Sequence, residues 1–313
     1  MKILVTGGAG FIASHVVDRY VHDGHEVVIL DNLTTGDRRN LNPHARFVEL
    51  DIRNRTGVGE LLKRERFEVI NHHAAQMDVR KSVVDPLYDA EVNILGSINL
   101  LQNAAAHGVK KIIYVSTGGA VYGEPQKLPV EEAHPINPEC PYGISKHTVE
   151  HYLYLWRLLY KLDFTVLRYP NVYGPRQSPA GEAGVIAIFG GLMLEGKTPT
   201  IFGDGKQLRD YVYVGDLAEA NALALTRGGG EIVNLGSEHG TSVLTLFELI
   251  KKHVGFAATP NFSPLRPGEI VQIYLSGQKA KKVLGWHPEV SVEEGLRQTV
   301  TWLRQVKQSG QWR

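Results

Sequence analysis

Short apolar runs and stretches of helical spacing alternate along the first half of the chain. Residues 2–6 are a β-rich run closed by glycines, and Phe11, Ile12, Val16, Val17 and Tyr20 then share one helical face up to Asp23. Further strands are expected at 26–31, 46–50, 67–70, 111–116 and 164–168, with helices at 57–66, 85–107 and 142–162. The strands are near-continuous Val, Ile and Leu, as in a parallel sheet covered on both faces. Strand–helix alternation of this kind predicts an α/β fold, a Rossmann-type doubly wound parallel sheet.

After Tyr169 the texture changes. Gly, Pro and other loop formers dominate 170–184, and helical patterns recur at 185–195, 216–226, 244–253, 279–284 and 292–307. A first domain is expected over 1–170 and a smaller C-terminal α/β domain mainly over 171–313. A strand at 231–235 is expected to return to the first sheet, so that 211–235 belongs partly with it.

Composition narrows the class. Of 313 residues, 43% are hydrophobic and 21% charged, which is ordinary for a globular chain. Lys+Arg 34 against Asp+Glu 33 leaves +1, no electrostatic footprint for nucleic acid or an anionic membrane. A single cysteine, Cys140 in an expected loop, excludes an intrachain disulfide and a cysteine-rich metal site. No apolar run approaches the ~20 residues that span a bilayer, and the chain opens on a strand pattern rather than a signal peptide. The expected location is the cytoplasm.

Three motifs carry chemistry. Gly7-Gly8-Ala9-Gly10-Phe11-Ile12-Ala13 follows a strand and opens a helix, so backbone N–H groups can approach a pyrophosphate at the helix's positive end. Asp31 ends the second strand, where a carboxylate suits the ribose hydroxyls of NAD and repels a 2′-phosphate. Tyr142-Gly-Ile-Ser-Lys146 puts a phenol and an ammonium on one helical face. The cation, with the charge of an oxidised nicotinamide, favours the phenolate, and the phenol becomes a general base for a hydroxyl. Ser116-Thr117 end a strand at the edge where open α/β sheets bind ligands, and a hydroxyl there can bond a reacting alcohol.

With Asp31-Asn32-Leu33-Thr34-Thr35-Gly36, His72-His73-Ala74-Ala75-Gln76, Asn171-Val172-Tyr173-Gly174-Pro175-Arg176-Gln177 and Arg209-Asp210-Tyr211, these motifs resemble, nearly end to end, the extended short-chain dehydrogenase/reductases. Within that NAD-dependent epimerase/dehydratase family the chain is similar to the 4-epimerases of UDP-hexoses. The resemblance implies an isomerase with bound NAD. Gly7, Gly10, Phe11, Ile12, Asp31, Asn32, Gly36, Asp51, Ile52, Ala74, Ala75, Asn93, Ser116, Tyr142 and Lys146 would lie at the cofactor. Tyr142 would be the base, assisted by Lys146 and Thr117. Thr117, Asn171, Val185, Ile186, Thr200, Ile201, Phe202, Arg209 and Arg266 would hold the UDP-sugar, the arginines suiting a diphosphate. A homodimer through the helices at 85–107 and 142–162 is implied as well.

The chain departs from the family pattern in three places, one of them Ser276, which stands where the family often has an Asp before a C-terminal helix and can cap it equally well. Ala13 replaces the third glycine of the phosphate loop, which the Gly/Ala version of the fingerprint tolerates. The family's catalytic hydroxyl falls on Gly118, so its role passes to Thr117, with Ser116 nearer the cofactor. Related dehydratases carry an Asp-Glu pair after the Thr and decarboxylases a Glu. Gly118-Gly119-Ala120 carries no titratable group, which leaves proton and hydride transfer at one carbon, hence epimerisation. UDP-galactose and UDP-glucose are the leading substrates, with UDP-glucuronate, UDP-N-acetylglucosamine, or a non-catalytic NAD-binding regulator as alternatives.

Some features are expected to mean less. His147-Thr-Val-Glu150-His151 reads as an inverted zinc-protease motif, but it shares a helix with Lys146 and no metal is expected. His72 and His73 end a strand as packing or cofactor-edge residues. Tyr152, Tyr154, Trp156 and Tyr160 are expected in the core or on the dimer surface.

Overall fold

The computed structural model describes residues 1–179, 184–265 and 270–310. In chain order the first half holds β1 (Lys2–Thr6), α1 (Phe11–His22), β2 (Glu26–Asp31), β3 (Arg46–Glu49), α2 (Arg55–Glu65), β4 (Val69–His72), α3 (Val79–Val84), α4 (Pro86–Ala90), α5 (Gly96–Ala106), β5 (Lys111–Thr117), α6 (Pro141–Tyr160) and β6 (Asp163–Tyr169). The second half holds β7 (Asn171–Tyr173), α7 (Val185–Leu194), β8 (Thr200–Phe202), β9 (Leu208–Arg209), β10 (Tyr211–Tyr213), α8 (Val214–Ala224), β11 (Glu231–Asn234), β12 (Thr241–Ser242), α9 (Val243–Val254), β13 (Asn261–Ser263), β14 (Gln272–Ile273), α10 (Gln278–Leu284) and α11 (Val292–Gln308).

Seven strands form one parallel sheet in the order β3-β2-β1-β4-β5-β6-β11. Side chains alternate across it. Ile3 and Val5 of β1 pack with α1 and α8, while Leu4 joins the layer made with α2, α5 and α6. Both faces are covered, which is why these strands are apolar throughout. The return of the chain to the first sheet is as expected, with β11 paired to β6 from Glu231↔Thr165 to Asn234↔Arg168. Strand order reverses between β1 and β4, and a crevice opens there at the strands' C-terminal ends.

The helix expected over 85–107 is interrupted. Asp85 caps α4, a π-turn occupies Glu91–Leu95, and α5 follows. The six-residue α3, capped by Asp78, is too short for a periodic pattern to reveal. Apart from β11, the strands of the second half are two or three residues long, and they pair across long loops: β12 and β14 flank β9, and β13 pairs β8. A separate apolar core, including Ile186, Phe189, Phe247 and Leu296, lies among α7, α9 and α11. Among the described residues no helix is long and apolar enough to cross a membrane.

Candidate active site

A cleft of about 1860 Å³ runs along the C-terminal ends of the sheet strands and out to α7 and β8. One wall carries Gly7, Gly10, Phe11, Ile12, Asp31, Asn32, Gly36, Asp51, Ile52, Ala74 and Ala75. The floor carries Ser116, Thr117, Tyr142 and Lys146, and the far wall Asn171, Val185, Ile186, Thr200, Ile201, Phe202 and Arg209. Arg266 lies outside the described residues. Asn93 does not line the cleft. It is buried behind the wall, where its Nδ2 reaches Gln76 O (2.9 Å), Asp89 Oδ1 (3.1 Å) and Ser145 Oγ (3.1 Å), while its Oδ1 accepts from Gln76 N (2.8 Å). It clamps the loop after β4.

The first wall is made by backbone. Gly7 has φ +72°, and a Cβ there would stand 2.7 Å from the Ala74 nitrogen. Gly10 begins α1 with no side-chain cap and no acidic residue in the first turn, so the helix's positive end faces the cleft. Asp31 is bonded to backbone on both oxygens: Oδ2 accepts from Ala9 N (3.0 Å) and Oδ1 from Leu33 N (2.8 Å), which ties the glycine loop to β2. Burial pushes this carboxyl up, against the two N–H bonds. Asn32 donates to Asp51 (2.8 Å), whose carboxyl is held at about 2, chiefly by hydrogen bonds from Arg53. A cradle that a Cβ would fill, set against an uncapped helix, fits the pyrophosphate of a dinucleotide.

The floor combines helix and strand. Cys140 is a helix cap rather than a loop residue: its Sγ accepts from Gly143 N (3.4 Å), and Pro141 follows at the first helical position. The Tyr142 N–H donates to Ser82 Oγ (3.2 Å), which seats the half-buried tyrosine against α3. Lys146 is buried with Nζ 4.3 Å from the centre of the Tyr114 ring. Burial lowers its ammonium to about 7, with Glu150 and Asp89 opposing. The lowered phenol expected at Tyr142 is not produced by the protein's own groups: burial, then Cys140 and Asp89, push it above its usual range.

The two hydroxyls at the end of β5 separate by strand alternation. Ser116 is buried and donates to Glu150 Oε1 (2.7 Å), so its hydroxyl is engaged by α6. Thr117, half-buried, faces the other way. At Gly118 the space of a side chain is taken: a Cβ would stand 2.2 Å from Leu275 Cδ1. His72 is buried between Thr6 Oγ1 (2.7 Å) and Ser97 Oγ (2.9 Å). His73 lies 3.3 Å from the Tyr169 hydroxyl, its imidazole pushed down to about 3 by burial and then by Lys146. The Glu150 of the zinc-like motif is bonded to Arg168, and among the described residues no three His, Cys, Asp or Glu gather as a metal set. Glu150, Arg168, Asp89 and Leu275 were not expected near the site. For Glu150 a signal existed, since it lies one turn after Lys146 on the same face.

A doubly wound parallel sheet, a glycine cradle at its switch point and a phenol–ammonium pair facing that cradle define a dinucleotide-dependent enzyme of proton and hydride transfer. The model of the NAD dependent epimerase/dehydratase family matches residues 3–236, and the chain belongs to that family. The UDP-glucose 4-epimerase of Mycolicibacterium smegmatis is 44% identical over 98% of this chain and 100% of that protein. Two solved structures are also similar. One is the Thermotoga maritima UDP-glucose 4-epimerase with UDP-glucose (48% identity, TM-score 0.96, 98% of this chain and 100% of that one). The other is the Thermus thermophilus UDP-glucose 4-epimerase with NAD (44%, TM-score 0.92, 97% and 99%).

Proposed function

We propose that this protein catalyses NAD-dependent C4 epimerisation of a UDP-hexose, interconverting UDP-galactose and UDP-glucose. The observation that carries this reading is the meeting of Tyr142, Lys146 and Thr117 in the cleft that also holds the glycine cradle, beside a 118–120 loop with no titratable side chain. The similarity to proteins solved with UDP-glucose and with NAD supports it. NAD, when bound, supplies reversible hydride acceptance at C4. Tyr142 takes the 4-hydroxyl proton and returns it to the epimer. Lys146 supplies positive charge that favours the phenolate, and Thr117 orients the C4 oxygen. Gly7, Gly10, Phe11, Ile12, Asp31, Asn32, Gly36, Asp51, Ile52, Ala74 and Ala75 hold the cofactor, which 1–170 and the returning 211–235 would house. Asn171, Val185, Ile186, Thr200, Ile201, Phe202, Arg209 and Arg266, from 171–313, hold the nucleotide-sugar.

Exposed Tyr154, Leu155, Leu158 and Leu159 on α6, with Val83, Val84 and Leu87 on α3 and α4, form an apolar face suited to a second copy of the chain. We assign the protein to the cytoplasm as a homodimer, which light scattering tests.

The activity test incubates the purified protein and NAD with UDP-galactose, UDP-glucuronate and UDP-N-acetylglucosamine separately. Interconversion of UDP-galactose and UDP-glucose is expected, and Tyr142→Phe should lower kcat by about 10³-fold or more while NAD stays bound. Turnover of another sugar alone moves the substrate; silence on all three with NAD bound ends the enzyme reading.

A further inference from the structure

We infer that Glu150 is a positioning residue: with Arg168 it anchors the catalytic helix α6 to the tip of β5 and keeps Lys146 cationic. The inference rests on the reading that Tyr142, Lys146 and Thr117 do the chemistry.

Both oxygens of the Glu150 carboxylate are fully engaged, and by three elements. Oε1 accepts from Ser116 Oγ on β5 (2.7 Å) and from Arg168 Nε on β6 (2.9 Å). Oε2 accepts from Arg168 Nη2 (2.6 Å) and from His147 Nδ1 on α6 itself (2.8 Å). The third arm of Arg168 donates to the Tyr122 hydroxyl (2.7 Å), which donates to Asn234 Oδ1 on β11 (2.8 Å). Glu150 and Arg168 are each 2% exposed. A buried ion pair adds little stability over an apolar pair of the same shape, so retaining one points to what it positions.

Two consequences follow from the geometry. Glu150 engages the Ser116 hydroxyl, and strand alternation leaves Thr117, on the opposite face of β5, free of that bond. Glu150 also places a negative charge one helical turn from Lys146. The groups around Lys146 are the Tyr114 ring on β5, Asp89 on α4, and His72 and His73 at the end of β4, both held neutral by burial, with Tyr142 one turn before it on α6. Of the two carboxylates that oppose its deprotonation, Glu150 is the stronger. Burial opposes the ionisation of Glu150 itself, but the bonds from Arg168, His147 and Ser116 prevail and hold it at about 2.

The test compares Glu150→Gln and Ser116→Ala with wild type, with Tyr142→Phe in parallel. Lys146 is titrated through its ¹³Cε resonance, assigned with Lys146→Arg, and kcat and KM are followed across pH. In Glu150→Gln the Lys146 titration should move down by about one pH unit. On that shift, from about 7 downward, the cationic fraction and with it kcat at neutral pH fall about fivefold and recover toward lower pH, with KM unchanged. Ser116→Ala should leave the titration in place and lower kcat several-fold at every pH. An unmoved Lys146 titration, or a kcat loss in Glu150→Gln equal at all pH, overturns the inference. Where Glu150→Gln does not fold, Glu150→Gln with Arg168→Met removes both charges, and a downward shift smaller than that of the single variant is expected. The titration is independent of turnover, so failure of the proposed reaction and failure of this inference are read separately.

Discussion

On the cofactor side the cleft is walled by backbone: a left-handed Gly7, an uncapped Gly10, and a loop tied down by Asp31 through Ala9 and Leu33. On the substrate side it is walled by side chains carried on strands of two or three residues, joined by ties such as Leu275 N to Asp210 Oδ2 (3.0 Å) across 65 positions. A backbone wall depends on where glycines stand, and a handful of neighbouring residues determine it. A side-chain wall depends on which distant segments meet. The first is therefore expected to be rigid and intolerant of a single methyl group, the second adjustable by paired changes.

The largest effect tests the rigid wall. Gly7→Ala puts a methyl group 2.7 Å from Ala74 N and 2.9 Å from Ala74 Cα, both backbone atoms that cannot step aside. The positive φ adds about 1–2 kcal/mol of its own. Together roughly 3 kcal/mol is expected, a fall in NAD affinity of about a hundredfold by calorimetry. Gly24→Ala is the control, because Gly24 has φ +81° but nothing within 4 Å of its Cβ. Equal NAD binding by Gly7→Ala and Gly24→Ala would remove the distinction between the walls.

The next effect tests whether the other wall yields to a paired change. Gly118→Ser drives its Cβ into Leu275 Cδ1, and Leu275 is packed against Val121, Tyr122, Val130 and Ile273. Overpacking of this kind costs about 1–3 kcal/mol and should lower Tm and kcat together. Adding Leu275→Ala opens the space, so the double variant should regain most of the loss, a coupling that independent sites do not show. If the double variant is as poor as the sum of the two singles, Leu275 is not what makes residue 118 a glycine.

The same division explains what could be read from the sequence. The sheet strands, α1, α6 and the cradle were legible because each rests on neighbouring residues: apolar runs, a 3.6-residue period, glycines between a strand and a helix. Thr117 was assigned by its place in a motif, and only the Ser116–Glu150 bond separates the two hydroxyls. Asn93 is marked by the family pattern alone, and its bonds to Gln76, Asp89 and Ser145 join segments that no local spacing connects. Glu150 was visible, but as part of a zinc-like spacing, since its partner Arg168 stands on another strand. The phenol of Tyr142 was read from an adjacent cation, whereas burial, which sequence spacing does not report, dominates it.

The smallest effect isolates one tie of the substrate wall. Asp210 is buried and accepts from the Ser237 hydroxyl (2.5 Å), Ser237 N (3.1 Å) and Leu275 N (3.0 Å). Burial raises its carboxyl from 3.8 to about 6 in spite of those bonds. The folded chain therefore holds a proton that the unfolded chain has released, in the window between about 4 and 6. Stability from this group is fully present below that window and is lost as pH rises through the folded value. Asp210→Asn titrates nothing there. The difference in unfolding free energy between the two proteins should move by about 1–3 kcal/mol across the window, wild type losing ground as pH rises. Other titrating groups are common to both proteins and cancel. Denaturant melts at a series of pH values measure it, and parallel curves would mean that the carboxylate is solvated and that Leu275 and Ser237 are held by something other than this residue.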